Sequence, residues 1–373
     1  MTETKTNLTL GQFLSNVLNG TAIAVLVGLI PNAILAVLLT SDAFKGNTFF
    51  STWHSANVLF QATIPALMGA LIALQFGFNG LKVGAVAAAT YVGSGVTSKS
   101  ALAAGLLAQL QESKAGEEVL QTATTLAGSF FTAGTGDIIN SMLVASLTVA
   151  LLLLLGDRLG SLNIILLPIL SALVATLGLF TLPYVKSITT QIGLLIQNFT
   201  ELQPYLMSML ICISFAILIV SPISTVAIGL AIGLTGLSAG ASAMGVAATT
   251  MVLVVHSFTV NKPGVTLAVA LASMKMMMPN VFKHPIVYVN IITTAALCSL
   301  LVPLFNITGT PASAGFGLVG LTGLFASING GLAPALAPIV WIAVPLTIAI
   351  GTRFLYTKVL KLYSAQVFKF ETK

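Results

Sequence analysis

The chain has 373 residues, of which 57% are hydrophobic and only 6% charged. A soluble domain carries about 25% charged residues, so the composition excludes a soluble enzyme or scaffold and indicates a polytopic membrane protein. The excess of 15 Lys and Arg over 9 Asp and Glu reads as loop and terminal charge that sets membrane orientation, with no nucleic-acid partner.

From the N-terminus, MTETKTNLTLGQFLSNVLNG has one Lys and one Glu. It lacks a basic region followed by a cleavage site, so no removable signal peptide is expected. Leu10, Phe13, Leu14, Val17 and Leu18 share one helical face and lead into the first apolar run, 20–40. Pro31 and Asn32 interrupt that run. A proline inside a membrane helix frees a carbonyl that needs a new partner; a simple kink accounts for the proline equally well, while Asn32 is a candidate solute ligand. Apolar runs follow at 56–76 and 81–96. The small-residue segment 122–137, TATTLAGSFFTAGTGD, suits a re-entrant hairpin packed within protein.

Asp137 closes that segment, directly before the apolar run 138–155, and Asn140 lies about one turn later. A carboxylate and an amide there can hold a sugar hydroxyl, a cation or a proton. Asp is also a preferred helix N-cap, and the two roles are compatible, because helix starts beside re-entrant tips are where transporters bind solute. After the run 162–182, Ile188, Ile192, Leu195, Phe199 and Leu202 recur at spacings of four and three. They predict an amphipathic helix over 186–203, lying flat at the interface. Ser221, Pro222 and Ser224, between the runs 206–220 and 224–237, occupy the point in the second half that Pro31 and Asn32 occupy in the first. Gly229, Gly233, Gly236 and Gly240 have the spacing of close helix packing, and glycines there also allow an unwound binding segment.

His256 ends the run 241–256; it fits a hydrogen-bonding ligand or proton site, or an interfacial His satisfied by a backbone carbonyl. Met274, Met276, Met277 and Met278 surround Lys275. Without interleaved Cys or His they read as a greasy interfacial helix in preference to a metal site. Runs at 286–306 and 332–350 complete the series, with the Gly-rich segment 309–328 a second re-entrant candidate. The tail from Arg353 carries five basic residues and one acid, which predicts an amphipathic surface segment and a cytoplasmic C-terminus. Cys212 and Cys298 sit in apolar runs and are expected as embedded thiols.

These readings give an all-α polytopic membrane protein with about ten transmembrane helices, re-entrant hairpins and interfacial amphipathic helices. It is expected to form one membrane-embedded domain, either of two pseudo-repeated halves, about 8–182 and 186–350, or with only chance similarity between Ala- and Gly-rich helices, and a tail at 351–373. LKVGAVAAATYVGSG at 81–95 and SAMGVAATTMVLVVHS at 242–257 carry the faint repeat. No nucleotide-binding motif, nucleophile–base pair, cofactor motif or metal spacing appears.

VLNGTAIAVLVGLIPNAILAVLL, GTGDIINSMLVASLTVALLLLLGDRLGSLNIILLPIL, SFAILIVSPISTVAIGLAIGLTGLSAG and MKMMMPNVFKHPIVYVN resemble the phosphotransferase-system enzyme IIC-like membrane proteins, over about 15–350. Members of this type are labelled toxin regulators. The resemblance implies a bacterial inner-membrane homodimer with a sugar-permease-like fold, a separate IIB-type partner, and no enzymatic activity of its own. The glucose group of IIC proteins carries a Gly-Ile-Thr-Glu type motif whose Glu helps hold the sugar; no counterpart occurs here, since Glu371 is the only acid beyond Glu201. The expected function is therefore a permease for a small polar solute, a sugar or related metabolite, with Asp137, Asn140, Asn32, Ser221, Ser224 and His256 as substrate-binding residues. The alternative is a non-transporting membrane sensor that regulates toxin or metabolic gene expression.

Overall fold

Caps and breakers decide where the helices begin and stop. In the computed structural model, the described residues are 8–39, 46–99, 101–113, 116–132, 134–156, 160–271, 274–311 and 313–370, without the side chains of 26, 30, 32–39, 101–104, 227, 230 and 231. The first helix, α1 (Leu10–Leu39), runs unbroken through Pro31. Then come α2 (Thr48–Gln61) and α3 (Ile64–Gln75), bent by 49° at the short break between them. Next is α4 (Gly80–Gly93), whose N-cap Asn79 accepts the Lys82 N–H at 3.1 Å. A two-stranded antiparallel ribbon, β1 (Thr97–Lys99) and β2 (Phe130–Thr132), carries the helical hairpin α5 (Ala101–Glu112) and α6 (Glu117–Gly128). Leu106, Val119, Leu126, Phe130 and Phe131 are exposed on this arm. The described residues of 122–137 thus form helix, strand and turn; Ala123 is buried, while Phe130 and Phe131 are exposed.

Asp137 caps α7 (Ile138–Leu155), and Gly156, at φ +53°, ends it by donating to Leu152 O. The next helix, α8 (Asn163–Asn198), is 36 residues long and contains Pro168 and Pro183. The stretch 186–203 therefore forms no separate interfacial helix: up to Asn198 it continues α8, and Ile192 and Ile196 pack inside the protein. The chain goes on through α9 (Pro204–Ile219), the short α10 (Thr225–Ala231), α11 (Gly236–Val260) and α12 (Pro263–Leu271). It ends with α13 (Met278–Lys283), α14 (Val287–Ser299), α15 (Leu301–Leu304), α16 (Thr322–Asn329) and α17 (Val344–Phe354), the last flanked by π-helical turns at Ile339–Ala343 and Leu355–Val359.

Among the described residues, six helical stretches are long and apolar enough to cross a membrane, or seven if α2 and α3 make one span. The count of about ten does not emerge, because several apolar runs form shorter helices: α9 has 16 residues, short of the roughly 17–25 a span needs. The architecture is all-α and polytopic.

Apolar burial divides between two main cores. Val17, Val25, Ile64, Met68, Ile72, Val86, Val149 and Leu167 form the first, from α1, α3, α4, α7 and the start of α8. Ile211, Phe215, Met244, Val252, Ile291, Val302 and Trp341 anchor the second. Its central helix, α11, lies so close to α9 that a Cβ at Gly245 would collide with the Cys212 backbone. Cys212 and Cys298 are free buried thiols, and Cys212 Sγ donates to Ala295 O at 3.1 Å. The four Met residues are buried core with no interfacial face. The glycine series does not form one packing stripe, since Gly233 and Gly236 have positive φ and end or begin helices. The tail is not a helix on the lipid surface either. Tyr363 and Phe368 bury into the second core, and Asn261 and Asn280 donate to the tail carbonyls of Phe368, Val367 and Lys369.

Candidate substrate site

A cavity of 690 Å³ opens where the two cores meet. Ligand sites in proteins run from about 300 to 1,000 Å³, so it has room for a small solute and water. The first half contributes Val25 and Leu29 of α1, Gln61, Ser94, and Gly134–Ile139; α8 contributes Lys186, Thr189, Thr190 and Gln197. The second half contributes Pro222 to Val226, Lys275, Gly315, Phe316, Val319, Gly320 and Thr322.

Three backbone breaks build the wall. At the first, Gly136 adopts φ +67°, and a Cβ there would come within 2.9 Å of Ser94 Oγ and Pro65. This tight turn delivers Asp137, whose N–H donates to Ser94 O at 2.9 Å and whose carboxylate accepts the Asn140 N–H at 2.8 Å. One residue thus caps α7 and faces the cavity. At the second, α9 stops at Ile219 and α10 starts at Thr225. Ser221 Oγ donates to Leu218 O at 2.7 Å and accepts the Ile223 N–H at 3.2 Å, holding the turn open. At the third, Gly315, with φ +79°, lets the Gly-rich loop approach Thr225, whose hydroxyl donates to Gly315 O at 2.9 Å. Irregular backbone at membrane depth survives only where protein buries it or a cavity borders it.

The expected ligand residues divide. Asp137 and Ser224 line the cavity. Asn140 does not: fully buried, its amide donates to Gly93 O at 2.6 Å and Gly178 O at 2.8 Å, and its oxygen accepts from Thr181. It brackets α4, α7 and α8 together just behind Asp137. Ser221 shapes the break without facing the space. His256 lies elsewhere, in the second core. Its Nδ1 is 2.8 Å from Val252 O, its Nε2 is 3.2 Å from Tyr363 Oη, and its ring stacks on Phe368 at 4.2 Å. Burial pushes the Tyr363 phenol up to about 12, so that OH stays a neutral partner. The side chain of Asn32 is outside the described residues, and Pro31 sits within a continuous helix, whereas Pro222 sits in a true break.

Lys275 is the functional candidate that sequence reading passed over. Its ammonium donates to Ser221 O and, at 2.8 Å, to Ile223 O, the carbonyls freed by the second break. Lys186, Gln61 and Gln197 were missed as well. The available signal for Lys275 was a lone cation inside MKMMMP, in a charge-poor chain where an embedded ionisable group is a functional candidate by default. Among the described residues no cluster of His, Cys, Asp or Glu could hold a metal ion.

Residues 15–370 match the sequence profile of the family described as Phosphotransferase system, EIIC. The chain belongs to that family. No curated protein matches it. As an EIIC protein it is a multi-pass membrane translocation subunit of the phosphotransferase system, a role in keeping with its long apolar helices and the absence of any large charged domain among the described residues.

Proposed function

We propose that this EIIC protein carries a small polar solute, a sugar or related metabolite, and binds it in the cavity between the two cores. The observation that carries the reading is that three broken backbone segments, two from the second half and one from the first, converge on one space with Asp137, Ser224, Gln61 and Gln197 in its wall. Discontinuous helices between two halves are the usual transporter binding site. Asp137 accepts solute hydroxyls through oxygen lone pairs left over from its capping bond. Asn140 and Ser221 act as positioning residues, the first behind Asp137 and the second at the turn that presents Ser224.

Translocation on this reading is a movement of one core against the other, with α8, which packs on both, as the link. The protein resides in a bacterial inner membrane as a homodimer with a cytoplasmic C-terminus, and a separate IIB-type partner delivers the phosphoryl group.

A thermal-shift screen of the purified protein against sugars, polyols, nucleosides and amino acids tests this. A ligand that binds only the folded state raises stability by about 2.7 kcal/mol at a hundredfold excess over Kd. A dose-dependent hit that Asp137→Ala removes is the expected result; no hit with any solute would overturn the permease reading.

A further inference from the structure

Lys275 is only 8% exposed, yet its side chain borders the cavity. An ammonium has three N–H donors, and the carbonyls of Ser221 and Ile223 take two. Among the described residues no carboxylate lies within ion-pair distance of it. An unpaired buried charge costs several kcal/mol, and two carbonyl dipoles offset that only in part. In its protonated form Lys275 thus keeps one donor unused at the edge of an enclosed space.

The charge in the cavity wall is unbalanced in the same sense. The lining includes buried Lys275, the exposed Lys186 at its edge and one carboxylate, Asp137, for a formal sum of +1. A neutral solute would leave Lys275 without a counter-ion once water is displaced. An oxyanion would supply one. The polar groups of the wall also differ in kind: the Asp137 carboxylate accepts hydrogen bonds, the Lys275 ammonium only donates them.

Resting on the permease reading, we infer that the solute is a polyhydroxylated anion. Its carboxylate or phosphate group sits on the Lys275 ammonium, and its hydroxyls donate to Asp137. Carboxylate and phosphate share this chemistry, since each offers oxygens to a charge-assisted N–H bond.

The test is direct binding in nanodiscs of zwitterionic lipid, with matched probes: glucose and sorbitol as neutral solutes, gluconate and glucuronate as sugar acids, glucose 6-phosphate as the phosphate. We expect one anionic class to bind about tenfold or more tighter than its neutral counterpart, and Lys275→Met to erase that preference while Lys275→Arg keeps it. Preference for gluconate or glucuronate identifies the carboxylate, preference for glucose 6-phosphate the phosphate. Equal or tighter binding of the neutral probes overturns the anionic assignment and leaves the permease reading standing. So does an anion preference that survives Lys275→Met, which would reduce Lys275 to a plug for the helix break. If Lys275→Met does not fold, the wild-type preference and Lys275→Gln decide. Silence with every probe overturns the anionic assignment, and the wider solute screen then decides the permease reading.

Discussion

The cavity wall at Lys275 and the pocket around His256 pose the same physical problem and solve it oppositely. Each buries a basic side chain between segments far apart in sequence. At His256 both ring nitrogens have partners and Phe368 stacks over the ring. Asn290, itself fully buried, donates to Tyr363 Oη at 2.8 Å. That pocket is closed, and its polarity fastens the tail to the second core. At Lys275 two donors are satisfied and one remains, beside open volume. Burial alone therefore does not mark a binding residue; spare hydrogen-bonding capacity facing a cavity does.

The sharpest way to break this contrast is to remove the cover. Phe368→Ala should cost about 3–5 kcal/mol, as buried aromatic truncations do, and lower the melting temperature while solute affinity stays at the wild-type level. A change in affinity would show that the tail pocket communicates with the cavity. Next, Asn140→Leu should cost about 1–3 kcal/mol, because Gly93 O and Gly178 O lose a buried donor; calorimetric unfolding checks this.

Asp137 allows its two roles to be separated. Asn is as good an N-cap as Asp, so Asp137→Asn should leave the melting temperature near wild type and weaken solute binding about tenfold. Asp137→Ala should add a stability loss of about 1 kcal/mol. The smallest effect belongs to Tyr363→Phe, which removes one hydroxyl from the His256 network. It should cost about 0.5–1.5 kcal/mol with transport unchanged in a proteoliposome uptake assay.

Much of this was legible in the chain. Composition and apolar runs were enough for the membrane class, and Asp137 announced both its cap and its cavity-facing role because a carboxylate before an apolar run has few other uses. Ser221, Pro222 and Ser224 marked a genuine break. Other features depend on tertiary contacts that local pattern does not encode. Ile188 to Leu202 carry amphipathic spacing, but α8 runs on as far as Asn198 and turns part of that face onto the second core. The basic tail reads as a surface segment, yet Phe368 and Tyr363 find a pocket more than a hundred residues back in sequence, at His256. Lys275 was hidden by its methionines: a greasy run suggests lipid, and only the fold brings the freed carbonyls of Ser221 and Ile223 to its ammonium.

On the permease reading, solute binds at the junction of the two cores through Asp137. The most direct measurement is the dissociation constant of the tightest-binding solute for wild type, Asp137→Asn and Phe368→Ala in lipid nanodiscs. A loss of about tenfold or more for Asp137→Asn, with Phe368→Ala unchanged, is the predicted result. Wild-type affinity in Asp137→Asn would contradict the account.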